Sequence, residues 1–204
     1  ALVGLMATGG STNLVIHLIA IAKAAGIELT LDDISDISAI TPLLVRLYPN
    51  GSADVNKFHS LGGTAYLISE LLDNGFLHDD IPTIHPDGMS AYRMTPCLDE
   101  GGCLTYQNLE LEYDKTVIRK FNEPFESQGG VKLLRGNLGN AVVKISSVQE
   151  SERYIEAPAK VFHSQSEVKA AFAAGELNHD CVVVLRFQGP AANGMPELHG
   201  LAPI

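Results

Sequence analysis

The sequence has no run of lysine or arginine, no apolar stretch long enough to cross a bilayer, no paired-cysteine motif and no phosphate-loop or dinucleotide signature. Each absence removes a class of protein. With Lys+Arg 14 against Asp+Glu 24, the formal net charge is −10, and with no Lys/Arg run this balance argues against a nucleic-acid surface or an anionic-membrane anchor, either of which requires concentrated positive charge. The longest apolar stretch, Leu14 to Ala25, carries His17 and Lys23. It is too short for a hydrocarbon layer of roughly 30 Å. The three cysteines, Cys97, Cys103 and Cys181, are odd in number and lack a C-x-x-C pair. That usage fits a reducing cytoplasm better than a disulfide framework, and the spacing is poor for a metal nest. The chain also opens at Ala1 without an initiator Met and closes on Leu201-Ala202-Pro203-Ile204 with no polar tail, so it reads as an excerpt from a longer polypeptide.

What is present is enough to fold. At 204 residues and 46% hydrophobic, the chain can bury a core as one large domain or two small ones. Gly9-Gly10-Ser11-Thr12-Asn13 is a flexible turn rich in hydroxyls, followed by an apolar helix over Leu14–Ala25 and a closing Gly26. Because that helix is apolar nearly all round, it is expected to be buried. Thr30-x-x-Asp33 approximates a capping box and predicts a short helix through Ser38. Thr41–Leu47 is ambiguous between strand and helix. The apolar spacing from Asp54 to Leu72, broken by Gly62-Gly63 and ended by Gly75, predicts two helical pieces. From His85 to Glu126 the composition shifts to Pro, Gly and Asp with no sustained period, as in a connection between domains. Beyond it, Val131–Leu134, Ala141–Ile145, Ala159–Phe162 and Cys181–Phe187 are β-rich. One helix interrupts them, with Ser164-x-x-Glu167 at its start, Val168, Ala171 and Phe172 as its apolar face, and Gly175 past its end.

Few residues suggest chemistry by themselves. A Gly-Gly-Ser-Thr-Asn loop opening a helix can hold a carboxylate or phosphate, because unpaired amides and the positive end of the helix dipole point out of it. An ordinary helix cap is the plainer reading. Glu197 follows the Gly/Pro/Asn-rich turn after the last β-rich run and reads first as a solvated residue. As a magnesium ligand it would need partners, since that ion takes about six oxygens. His17 reads as a core histidine, and His59 shares the ambiguity. His78, His85, His163, His179 and His199 fall in turn-like segments and read as exposed. The acidic group Asp32, Asp33 and Asp36 reads as a solvated helix start.

Longer segments carry a resemblance. Gly9-Gly10-Ser11-Thr12-Asn13 with His17-Leu18, then Ala25-Gly26-Ile27, Asp32-Asp33-Ile34 and Ile37-Ser38, resemble the dihydroxy-acid and phosphogluconate dehydratase family of iron–sulfur hydro-lyases. The likeness continues through Pro42-Leu43-Leu44, Gly62-Gly63, Gly130-Val131, Gly136-Asn137-Leu138, Ala157-Pro158-Ala159 and Gly189-Pro190 to Glu197. Leu47–Asn56 and Phe187–His199 are similar to the phosphogluconate branch. The dihydroxy-acid branch tends to carry a more glycine-rich version of the second segment.

The resemblance implies an α/β fold: the helical end of a cluster-carrying N-terminal domain over 1–85, a connecting segment over 86–126, and the start of a β-rich, barrel-like C-terminal domain over 127–204. It implies a hydro-lyase that removes water from 6-phospho-D-gluconate to give 2-dehydro-3-deoxy-6-phosphogluconate, in the cytoplasm and as a homodimer. It further implies a 4Fe-4S cluster whose ligands lie outside this chain, and Mg2+, for which Glu197 matches a family ligand. Gly10, Ser11, Thr12 and Asn13 match the loop that would lie near the substrate's carboxylate or phosphate, on one pocket with Glu197. Cluster cysteines and the serine proposed as base have no counterpart here, so no catalytic residue is assigned and the isolated chain is expected to be inactive. The alternatives are a dihydroxy-acid or other sugar-acid dehydratase, and a non-catalytic anion-binding module.

Overall fold

The computed structural model describes residues 1–108, 113–195, 198–201 and 204, and of Ala192 and His199 the backbone only. In chain order the elements are α1 (Leu2–Ala7), α2 (Thr12–Ala24), α3 (Leu31–Ile40), α4 (Val55–Ser60), α5 (Gly63–Asp73), β1 (Thr95–Leu98), β2 (Leu104–Gln107), β3 (Val131–Gly136), β4 (Gly139–Lys144), β5 (Ala159–Phe162), α6 (Gln165–Ala173), β6 (Val182–Leu185) and α7 (Pro190–Asn193). They form two compact units, one of Ala1–Thr12 with Leu29–Val148 and the other of Asn13–Glu28 with Gln149–Ile204. The α/β character holds. Among the described residues the sheets are three separate pairs: β1–β2 and β3–β4 antiparallel, β5–β6 parallel. None closes among the described residues, so no barrel is shown.

Local signals account for the helices of the first unit. Thr30 caps α3: its hydroxyl accepts from the Asp33 amide at 3.1 Å, while the Asp33 carboxylate accepts from the Thr30 amide at 2.8 Å. Asp54 caps α4 by accepting from the Lys57 amide at 2.8 Å. Gly62 and Gly63, at φ +100° and +54°, then break the chain between α4 and α5 in a conformation that a Cβ would strain. These elements follow the sequence closely.

The Asp33 box carries a pH dependence. Hydrogen bonds from the Thr30 hydroxyl and amide hold the Asp33 carboxyl below its ordinary 3.8. A depressed folded value means that the cap's contribution is present above 3.8 and is lost as pH falls through the folded value. In an NMR acid titration the Thr30 amide resonance should move with a midpoint below 3.8. A midpoint at or above that value would show that the reciprocal bond is not made in solution.

The spine of the first unit is the stretch Thr41–Leu47, which resolves as extended chain. Leu43 bridges Glu126 and Val45 bridges Ile118, both antiparallel. Arg46 N–H donates to Val117 O at 2.9 Å and Arg119 N–H to Leu44 O at 2.8 Å. On the same stretch Leu44 and Val45 both donate to Ala7 O, at 2.7 and 3.0 Å. Leu44, Val45, Phe58, Leu61, Leu71 and Ile118 are fully or nearly fully buried in one cluster around this spine. The Gly129 amide donates to Ser38 O and the Ser38 hydroxyl to Val131 O, each at 2.7 Å, which fastens the β3–β4 hairpin to α3.

In the second unit, β5, α6 and β6 make a parallel strand pair with its crossover helix. Ser164 Oγ accepts from the Glu167 amide at 3.2 Å, and Glu167 returns its carboxylate to the His163 amide at 2.8 Å, one residue before the cap. Val168 and Ala171 are buried as expected, but Phe172 is exposed, so the covered stripe of α6 is narrower than the apolar spacing suggested. A larger correction concerns α2. It begins at Thr12 and ends before Gly26 at φ +73°, but only Val15 is fully buried, and Ile21 is 62% exposed. Apolar composition reports what a helix can bury; burial also needs a covering surface, and the described residues of this chain supply little.

Candidate functional site

The Gly9–Asn13 loop is built at the end of α1. Helix α1 stops at Thr8, Gly9 turns the backbone into the left-handed region at φ +61°, and α2 starts at Thr12. Gly9 N–H donates to Met6 O at 3.1 Å, and Gly10 N–H to Leu5 O at 2.8 Å. Gly9 is buried, Gly10 half-buried and Ser11 exposed, with Thr12 and Asn13 half-buried, so the loop rises from the interior to the surface over three residues.

Both glycines are needed by their surroundings. A Cβ on Gly9 would lie 2.4 Å from Asn50 Nδ2 and 3.0 Å from Leu43 Cδ1. One on Gly10 would lie 2.2 Å from Leu5 Cδ1. The neighbours come from distant parts of the first unit. Asn50, after the cis Tyr48–Pro49 peptide, donates from Nδ2 to Gly9 O at 2.9 Å and accepts at Oδ1 from the Ser147 hydroxyl. Ser146 Oγ lies 3.5 Å from Gly9 O. Gly130 completes the packing, since a Cβ there would meet Ser146 Oγ at 2.5 Å and Gly9 Cα at 3.1 Å. Close by in sequence, burial lowers the ammonium pKa of Lys144. Sequence reading missed Asn50, Ser146 and Ser147 as a support for this loop.

Of the other candidates, Glu197 lies outside the described residues. His17 is half-buried in α2 and His59 exposed at the end of α4. His85, expected to be exposed, is half-buried: its Nδ1 accepts from the Asp87 amide at 3.2 Å, and its ring meets Tyr106 edge-on. His163 stacks on Phe187 with ring centroids 5.2 Å apart. The side chain of His199 lies outside the described residues. Asp32 accepts from Arg135, so this aspartate links α3 to β3 as well as starting a helix. The three cysteines are free thiols, and Cys97 contacts the Thr105 hydroxyl. Among the described residues no three His, Cys, Asp or Glu side chains converge to hold a metal.

A separate cleft of about 490 Å³ lies in the first unit, lined by Tyr66, Glu70, Tyr113, Lys115, Lys120 and Glu123. Its charges cancel, and Lys115 is already paired with Glu123 at 3.2 Å. The Tyr66 hydroxyl is buried without a hydrogen-bond partner among the described residues, and burial, aided by the Glu70 carboxylate, pushes its pKa up. That hydroxyl is out of reach of solvent, so the cleft offers a ligand little besides surface side chains.

Comparison with known proteins gives these residues a context. The chain matches the family model described as dihydroxy-acid/6-phosphogluconate dehydratase N-terminal over residues 1–92, and the corresponding C-terminal model over residues 116–204. The two matches do not coincide with the compact units, because residues 116–148 belong to the first. A phosphogluconate dehydratase of Pseudomonas aeruginosa is 48% identical over 203 residues, covering 100% of this chain and 33% of the relative. One from Escherichia coli K12 is 52% identical over 202 residues, covering 99% of this chain and 34% of the relative. A dihydroxy-acid dehydratase of Sulfurisphaera tokodaii is 36% identical over 207 residues, covering 97% and 34% respectively. The chain thus spans about a third of the length of the curated relatives it matches.

Proposed function

The chain belongs to the dihydroxy-acid/6-phosphogluconate dehydratase family, and from that premise we propose that it is the central part of a hydro-lyase acting on 6-phospho-D-gluconate. The observation that carries the choice of substrate is the identity gradient: 48% and 52% to phosphogluconate dehydratases against 36% to the dihydroxy-acid dehydratase, over nearly the same residues. The reaction removes the C2 proton and the C3 hydroxyl. The C2–H electron pair becomes the C2–C3 double bond of an enol, the hydroxyl leaves as water with a proton, and the enol tautomerises to the 2-keto product.

In this reading the chain's own contribution is binding and orientation. The Gly10–Asn13 loop receives an anionic end of the substrate, the carboxylate or the phosphate, where the start of α2 favours negative charge. The clamped Gly9–Gly10 peptide holds that loop in one geometry before the substrate arrives, so binding does not have to order it. A 4Fe-4S cluster and Mg2+ belong to the proposal through the family, and Glu197 is the proposed magnesium ligand. The described residues do not fit either group, since the three cysteines are free thiols and no three His, Cys, Asp or Glu side chains among these residues converge to hold a metal. Homodimeric assembly and a cytoplasmic location are likewise proposed. No helix of the described residues is long and apolar enough to cross a membrane.

The complete gene product should convert 6-phosphogluconate to a 2-keto acid that is detectable by derivatisation of the new carbonyl. Absence of that product from a preparation carrying its metal groups, with phosphate or 6-phosphogluconate still bound, would favour the non-catalytic anion-binding module instead.

A further inference from the structure

We infer that Asn50 is a positioning residue for substrate binding, its carboxamide clamping the peptide that leads into the Gly10–Asn13 loop; the inference rests on the function proposed above. The Gly9–Gly10 peptide unit is bonded at both ends. Its N–H, on Gly10, donates to Leu5 O at 2.8 Å, and its C=O, on Gly9, accepts from Asn50 Nδ2 at 2.9 Å. A peptide plane fixed at both polar ends cannot rotate without breaking a hydrogen bond. The next residue is Ser11, so this plane sets the direction in which the loop leaves the interior.

Asparagine suits this position because it donates and accepts from one rigid group. Nδ2 serves the Gly9 carbonyl while Oδ1 receives the Ser147 hydroxyl. Aspartate would keep the second contact and lose the first. The residue is itself well anchored: Asn50 N–H donates to Leu47 O at 2.7 Å, Gly51 N–H to Leu47 O at 3.0 Å, and Tyr48 N–H to Ala53 O at 2.9 Å. Gly51 packs so tightly that a Cβ would lie 2.8 Å from Arg46 O. The carboxamide is thus presented by a closed turn, not by a free side chain searching for a partner.

The test uses the complete gene product and three measurements on Asn50→Asp: kcat, KM for 6-phosphogluconate, and the unfolding midpoint. A positioning role predicts a KM raised roughly tenfold, as expected when a buried carbonyl loses its donor, with kcat within about twofold of the wild type. If Asn50→Asp does not fold, Ser147→Ala carries the test, because it releases the carboxamide from its second anchor; a KM rise of about threefold is then expected. A KM unchanged in the folded variant, or a loss confined to kcat or to the unfolding midpoint, would overturn the inference. Failure of the underlying reading is distinguishable, because the wild-type protein would then show no turnover of 6-phosphogluconate at all.

Discussion

Replacing Gly9 by alanine is expected to lower the stability of the first unit by about 3 kcal/mol and, under the proposed function, to weaken substrate binding by the complete gene product. Two effects add. At φ +61° an L-residue carries a strain of about 1–2 kcal/mol. The new Cβ would also stand 2.4 Å from Asn50 Nδ2, forcing the carboxamide away and leaving the Gly9 carbonyl only the long 3.5 Å contact from Ser146 Oγ, at a cost of roughly 1–3 kcal/mol. Urea unfolding monitored by circular dichroism provides the measurement. Gly75→Ala is the internal comparison, because Gly75 lies in the same unit and has a similar φ of +73°, with no described atom within 4 Å of its Cβ position. It should lose only the strain. A Gly9 variant no less stable than the Gly75 variant would mean that the Asn50 clamp contributes nothing.

The second large effect lies in the spine. Leu44 is completely buried, and its backbone is tied on both sides, to Ala7 O and from Arg119 N–H. A segment bonded in both directions cannot collapse into a cavity, so Leu44→Ala should sit in the upper part of the 2–5 kcal/mol range for such truncations, at about 4 kcal/mol. For a chain of this size that corresponds to a fall in Tm of roughly 8–16 °C. Ile84, 98% exposed, supplies the contrast: Ile84→Ala should change stability by no more than about 0.5 kcal/mol. Equal effects at the two positions would contradict the placement of the core.

The parts of this fold that were legible in the sequence are those whose causes are local. Thr30 and Asp33 are three residues apart and bond to each other, Asp54 bonds to Lys57, and Gly62-Gly63 breaks the helix at its own position. The pattern therefore contains both the signal and its effect. Thr41–Leu47 could not be assigned, because what makes it extended is its pairing with residues 117–126, far along the chain in a stretch without period. The candidate site divides the same way. Gly9 and Gly10 announce a turn, and hydroxyls after them announce a helix start. Asn50 and Ser146 come from 41 and 137 residues away, Ser147 follows Ser146, and all three are ordinary polar residues, so nothing in their spacing connects them to the loop. The exposed faces of α2 and of Phe172 have a different origin: apolar spacing marks a face to be covered but carries no information on how much of it this chain covers.

The proposal that these residues serve 6-phosphogluconate dehydration is tested most directly by the ratio of kcat/KM for 6-phosphogluconate to that for 2,3-dihydroxyisovalerate, measured on the complete gene product with the proposed metal groups supplied. The identity gradient predicts a ratio well above about one hundred, because 2,3-dihydroxyisovalerate lacks the phosphate that a site for 6-phosphogluconate would pair, and an analogue that leaves such partners unpaired is strongly rejected. A ratio at or below one would place the protein with the dihydroxy-acid dehydratases and contradict the account.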